Sequence, residues 1–261
     1  MRTLTTRRAL EAWERGQRAD PQGRALALLA AVLPDVAPER LTHLPLGQRD
    51  ALLIRLRECT FGSQAKIFVQ CPRCDARLEY PLDLRAYDAA GALARRPAPG
   101  PLSALGFEIR FRLPSGEDLV AMSRCPDVET ARALLVSRCV LAAERAGRPV
   151  PPEELPEAVL ELLGREMEEL DPLAYLPLAI DCPRCAHQWL ALLEAGAFLW
   201  QEISVSAERL LRDVHALALA YGWSETEILG MSDARRKFYL SQIPPSAAAS
   251  PAAPGKARQR P

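Results

Sequence analysis

Two identical tetrapeptides constrain this chain more than anything else in it: Cys71-Pro-Arg-Cys74 and Cys182-Pro-Arg-Cys185. A CxxC turn lets two thiolates point at one ion, and a structural zinc site asks for four such ligands in a tetrahedron. One turn is therefore half a site, and two make a whole one. Each turn is bracketed by segments of strand character. Residues 66–70 run into the first pair, and 77–80 with 82–84 return from it. Residues 176–181 run into the second pair, and 188–192 return. This strand–knuckle–strand pattern, used twice, predicts a zinc ribbon whose ligands are Cys71, Cys74, Cys182 and Cys185, holding one structural Zn2+.

The spacing is unusual for such a site. Cys74 and Cys182 stand 108 positions apart, so 107 residues lie between the two halves. The usual separation is about 15–20 residues. The intervening stretch must then be a sub-domain inserted into the ribbon, and closing the site would tie it to the frame. Structural zinc contributes roughly 10–16 kcal/mol in small peptides, comparable with the whole stability of a typical domain, about 5–15 kcal/mol. Many knuckles carry glycine after the second cysteine, where the backbone turns left-handed. Here Asp75 and Ala186 stand there. Asp tolerates that conformation; Ala does so less readily.

Other uses of these cysteines are open at this level. The pairs could be redox dithiols, although such motifs lead into a helix N-terminus that lowers the thiol pKa, and here strand follows. Each knuckle could also bind its own ion with help from His187, Asp75 or a second chain. Cys59, Cys125 and Cys139 have no partner at knuckle spacing and read as buried core thiols.

The chain divides by pattern into six segments. Residues 1–62 read as helices, with Leu10 and Trp13, the apolar run 25–33, and Leu52, Leu53 and Leu56 as their faces. Residues 63–90 form the first knuckle hairpin, and 91–172 the insertion. In the insertion Phe107, Ile109, Phe111 and Leu113 alternate with charged residues as a half-buried strand, turned by Pro114-Ser-Gly116. A helix capped by Asp127 is predicted to run to about Arg145, and another carries Leu160, Leu163, Met167 and Leu170. The proline-rich stretch 96–101 is predicted to be irregular. Residues 173–195 form the second hairpin, and 196–243 a C-terminal helical segment, with a capping box at Ser224-Glu-Thr-Glu227. Residues 244–261 lack large apolar side chains and are predicted to be disordered. The fold class is α+β: a ribbon with an α/β insertion, flanked by helices.

Composition excludes several functions. Of 261 residues, Lys+Arg and Asp+Glu each number 33. A zero balance argues against general nucleic-acid binding, which needs excess cations for phosphates. The Arg-rich start lacks the apolar core of an export signal, and no segment is long and apolar enough to span a bilayer. A cytoplasmic protein without membrane insertion is expected. Only His43, His187 and His215 are available as histidines, and no nucleophile–histidine set, phosphate loop or metalloprotease helix is visible. A centre of four thiolates has no open position for catalysis. No catalytic residues and no small-molecule substrate are expected.

Several stretches together resemble a known family. They are Leu44-Pro-Leu-Gly-Gln-Arg-Asp-Ala-Leu-Leu53, Leu56-Arg-Glu-Cys-Thr-Phe-Gly62, the first CPRC with Leu82-Asp-Leu84, and Arg112-Leu-Pro-Ser-Gly116. The second CPRC with Trp189, Val214-His-Ala-Leu217, Tyr221-Gly-Trp-Ser224, Glu227-Ile-Leu229 and Arg235-Arg-Lys-Phe-Tyr239 complete the set. In this order, across residues 5–243, the chain resembles the baseplate assembly proteins of contractile phage tails and related phage-tail-like injection systems, and is similar to the T-even baseplate hub assembly family. The resemblance implies a component or assembly factor of a baseplate or hub, without a reaction. Its implied partners are other baseplate, hub or tail proteins, and its implied places are the bacterial cytoplasm and the particle itself. The two knuckles are the metal ligands it implies; the missing glycines at 75 and 186 are its departures. A partner surface is expected on the last helices at Trp223, Arg235, Arg236 and Tyr239, residue types common at binding hot spots. The alternatives are a zinc-ribbon regulator that contacts nucleic acid and a CxxC redox protein.

Overall fold

The described residues, 4–94 and 100–244 of a computed structural model, open with helices α1 (Thr6–Gly16), α2 (Pro21–Val32), α3 (Pro38–Thr42) and α4 (Leu46–Phe61). Local chemistry starts the first two. Thr5 Oγ1 accepts from Arg8 N at 3.4 Å, and Asp20 Oδ1 accepts from Gly23 N at 2.7 Å, with Pro21 opening α2. Both arrangements satisfy amides that a helix start leaves unpaired.

The chain then alternates between sheet and helix. Strands β1 (Gln64–Gln70) and β2 (Arg77–Asp83) form the first hairpin, followed by the short helix α5 (Ala89–Ala94). The insertion contains β3 (Leu102–Ala104), β4 (Phe107–Phe111), α6 (Gly116–Met122), α7 (Val128–Cys139), β5 (Val140–Arg145), β6 (Arg148–Pro149) and α8 (Glu157–Leu170). Its four strands pair antiparallel in chain order. Strands β7 (Pro177–Asp181) and β8 (Gln188–Leu192) form the second hairpin. Helices α9 (Ala195–Tyr221), α10 (Glu225–Gly230) and α11 (Asp233–Ser241) follow.

Two compact units result, Met1–Ile203 and Ser204–Pro261, with α9 crossing the boundary. Within the first unit one core gathers Leu28, Leu29 and Val32 of α2, Leu53 and Leu56 of α4, and Leu199 and Ile203 of α9. Both hairpins add to it, through Ala65, Ile67 and Leu82 from the first and Leu178 and Ile180 from the second. The insertion has its own core: Phe107, Ile109, Phe111 and Leu113 against Val140, Ala143, Val159 and Leu163. The alternation read from 107–113 is, over Phe107–Phe111, a half-buried strand paired with β5, its apolar residues sharing a core with α8.

Buried polar groups tie these layers together. Leu46 N donates to Pro114 O at 3.0 Å, joining the Leu-Pro-Leu-Gly stretch to the Leu-Pro-Ser-Gly stretch. Gly47 N donates to Asp171 Oδ2 at 2.8 Å, so a carboxylate from the end of α8 serves the start of α4. A Cβ at position 47 would lie 2.2 Å from Asp171 Oδ1, so only glycine permits that approach. Arg57 is buried and donates to both carboxylate oxygens of Glu202, at 2.9 and 2.8 Å, and to the carbonyls of Gly62 and Gln64 at 2.5 and 2.7 Å. One guanidinium thereby fixes α9, the end of α4 and the start of β1. Asp118, with no solvent exposure, accepts from Arg112, Arg138 and the Ser115 amide.

The structure corrects two local readings and adds two short elements. The helix from Asp127 stops at Cys139, and Val140–Arg145 is β5. Its Ala, Leu and Glu favour helix, but pairing with β4 and burial of Val140 and Ala143 override that preference. Pro114-Ser-Gly116 is the N-terminus of α6, capped by Asp118 and Ser115, and not a hairpin turn. Strand β3 and helix α5 carry too few residues to announce themselves. The proline-rich loop at 96–101 lies mostly outside the described residues, and the tail at 244–261 almost wholly so.

Removing Arg57 leaves the half-buried Glu202 and the carbonyls of Gly62 and Gln64 without this shared donor. Arg57→Ala is expected to cost about 1.5–3 kcal/mol, read as a lowered denaturant midpoint; a loss below about 0.5 kcal/mol would refute this role. For Asp118, burial disfavours the charged carboxyl, but Arg112, Arg138 and the Ser115 amide outweigh it and hold its pKa well below the usual carboxylate range. A depressed folded pKa contributes stability that is present above the unfolded value of about 3.9 and lost as pH falls beneath it. Asp118→Asn should flatten the fall in thermal midpoint below about pH 4; an unchanged acid limb would contradict the assignment.

Candidate metal centre

Each knuckle is a tight turn at the end of its hairpin, and the two follow one hydrogen-bond pattern. Cys71 N donates to Ala76 O at 2.9 Å and Asp75 N to Cys71 O at 3.0 Å. In the second knuckle Cys182 N donates to His187 O at 2.9 Å and Ala186 N to Cys182 O at 2.9 Å. Both turns need a left-handed residue after the second cysteine: Asp75 has φ 55° and Ala186 φ 53°. The positions where glycine was missed are therefore the positions where the backbone is left-handed.

The structure brings all four sulfurs together. They lie within 4.8 Å of one another. The closest pairs cross between hairpins, Cys71 Sγ to Cys185 Sγ and Cys74 Sγ to Cys182 Sγ, each at 3.7 Å. A tetrahedron with metal–sulfur bonds of about 2.3 Å has edges of about 3.8 Å; the two cross-hairpin pairs match that edge, and the whole set, within 4.8 Å, is close enough that it could hold a metal ion. Cys71 and Cys182 are buried and Cys74 and Cys185 half-buried, with Ala76, Leu78 and Trp189 packed around them.

The thiols do not hold protons equally. Burial opposes ionisation of Cys182, but the amides of Arg184 and Cys185 and two neighbouring thiols bring it down to about 7. The Ala76 amide favours the thiolate of Cys74, yet burial and the other three sulfurs push it up to about 12. Four thiols this close share protons as one group. Metal binding would displace those protons, because the ligand is the thiolate.

The remaining candidates are scattered. Cys139 is buried as expected, Cys125 is half-buried, and Cys59 is exposed on α4, contrary to its reading as a core thiol. His43 and His215 are exposed; His187 is half-buried, its ring stacked on Trp189 with centroids 5.8 Å apart. In the second unit Tyr221, Trp223 and Tyr239 form one aromatic cluster. Trp223 lies 4.5 Å from Tyr221 and 4.8 Å from Tyr239, centroid to centroid. Arg235 is exposed, but Arg236 is only 3% exposed: it donates to Met231 O at 2.6 Å and faces Asp233. Arg236 thus braces the junction of α10 and α11 and is not available to a partner. Its sequence neighbour Arg235 differs only in helical phase, which tertiary packing decides.

Sequence reasoning missed one surface feature. Leu190 and Leu192 on β8 are 67% and 53% exposed, opposite Ala179 and Pro177 of β7. The signal was present in the strand pattern, since the outward residues of this hairpin are apolar where a half-wetted strand would carry polar ones.

Among the described residues no helix is long and apolar enough to cross a membrane. A search of curated proteins and a search of solved structures each found no match. A family model described as "T4 bacteriophage base plate protein" matches residues 17–200, which contain both knuckles and the insertion between them.

The left-handed alanine gives a test of the knuckle geometry. Ala186→Gly removes a steric penalty of about 1 kcal/mol and should raise the thermal midpoint of the purified protein. A lowered midpoint would show that the second knuckle does not adopt this turn.

Proposed function

The chain belongs to the T4 bacteriophage base plate protein family, and from this premise we propose that it is a non-catalytic, zinc-bound structural or assembly protein of a baseplate in a contractile phage tail or phage-tail-like particle. The observation that carries the metal part of this reading is the meeting of four cysteine sulfurs from hairpins 108 positions apart. The ligands are Cys71, Cys74, Cys182 and Cys185, and the ion is one structural zinc. Its work is mechanical: it joins two hairpins into a ribbon and closes a loop of about 100 residues, a constraint worth about 4.7 kcal/mol by chain-entropy reasoning.

A saturated thiolate centre offers no coordination position to a substrate, which supports a role without catalysis. A rigid frame suits a protein that must hold its surfaces in register for other baseplate, hub or tail proteins. Supporting surfaces for such partners are the aromatic cluster of Tyr221, Trp223 and Tyr239 with the exposed Arg235, and Phe238, which is 60% exposed. The balanced charge speaks against phosphate backbones as the partner.

The decisive measurement is metal content by mass spectrometry on protein purified without added metal, followed by unfolding with and without chelator. One zinc per chain is expected, with a marked fall in stability on its removal. Substituting both Cys71 and Cys182 with Ser should abolish binding. A metal-free protein whose CxxC pairs oxidise reversibly would refute the zinc reading. For the partner surface, Arg235→Glu with Trp223→Ala should impair particle assembly while leaving zinc content unchanged; normal assembly would exclude this face.

A further inference from the structure

The two knuckles share more than their cysteines. Each carries an arginine at the same place, immediately before the second ligand: Arg73 in the first and Arg184 in the second. Both are exposed, and neither side chain makes a hydrogen bond, ion pair or ring contact with any described residue, although the Arg184 backbone amide serves Cys182. Other cations among the described residues do have a carboxylate in contact. Lys66 is paired with Glu79, Arg85 with Asp83, Arg132 with Glu157 and Lys237 with Asp233. The carboxylates nearest in sequence to the knuckles do not take up the two arginines. Asp75 accepts from the Gln70 side-chain amide at 3.1 Å, and Asp181 makes no ion pair among the described residues.

Charge counting shows what the arginines would meet. Four thiolates around a divalent ion carry a net charge of about −2, in a pocket walled by Ala76, Leu78 and Trp189. Backbone amides supply only partial positive charge to these sulfurs. Two guanidinium groups, each one residue from a ligand cysteine and one from each hairpin, carry the complementary +2. Since the cross-hairpin sulfur pairs are 3.7 Å apart, the two turns that hold these arginines converge on the same centre. A long flexible side chain without another partner will settle where the potential is most negative.

We propose that Arg73 and Arg184 act as charge-compensating residues for the four-thiolate centre, holding its metal by neutralising the dianion and slowing attack by acids and competing chelators. This inference rests on the zinc reading above and adds two residues outside the ligand set. It makes the repeated arginine of CPRC part of the site's electrostatics, where either knuckle alone would compensate only half the charge.

The test compares zinc release into excess chromophoric chelator at low salt for the wild type, Arg73→Gln, Arg184→Gln, the double glutamine variant and the double lysine variant. Arg7→Gln, remote in sequence and paired with Glu11, serves as the control. Each glutamine substitution is expected to speed release about threefold to tenfold. The lysine variant should restore most of the wild-type lifetime, and the differences should shrink at about 1 M salt, where the screening length falls to about 3 Å. A wild type that carries no metal would overturn the zinc reading and this inference with it. A wild type with one zinc whose release is unchanged in the double glutamine variant would overturn this inference alone. So would faster release that neither lysine rescues nor salt diminishes, since that marks a structural defect. The single variants give the same readout should the double variant fail to fold.

Discussion

A two-stranded hairpin with five to seven residues per strand is not stable alone in water, because its one buried face has nothing to lie on. This chain contains two of them, separated by more than a hundred residues, and the rest of the structure answers that constraint. Each hairpin turns its inner residues, Ile67 and Leu82 in one and Leu178 and Ile180 in the other, onto the core built by α2, α4 and the start of α9. Their far ends meet through Cys71, Ala76 and Cys182, with Trp189 alongside. The helices thus support the bases of the hairpins, and the cysteines join their tips.

Once the hairpins are set, the chain between them must leave and return within a short distance. The insertion has its own apolar core and polar contacts that seat it on α4. Pro114 and Asp171 both reach the first turn of α4, one through a carbonyl and one through a carboxylate. Asp171 is held partly against its own interest, since burial pushes its pKa up while the Gly47 amide draws it down. Such contacts are costly to leave unmade and so specify how the insertion seats on the helices within this unit.

Membership in a baseplate family supports the architectural role proposed above. The surfaces that remain apolar, on β8 and around Tyr239, are places where a neighbouring protein could complete burial that the chain leaves unfinished.

Much of this was legible in the residues. The CPRC repeat singled out the four cysteines that the fold brings together, because spacing within a turn is a local property. Strand β4 declared itself through alternation, β1 and β8 as strand-like segments beside the cysteine turns, and α10 through its Ser224–Glu227 box. The left-handed backbone at Asp75 and Ala186 was foreseeable from the turn type alone. Only the tertiary structure decided the rest. It turned Val140–Arg145 from helix to strand by offering β4 as a partner, and it buried Arg236 while leaving Arg235 in water. It also brought sulfurs 108 positions apart to 3.7 Å. The physical reason is the same in each case. Propensity and turn chemistry act over a few neighbouring residues, whereas burial and pairing depend on groups that come together only when the chain has folded.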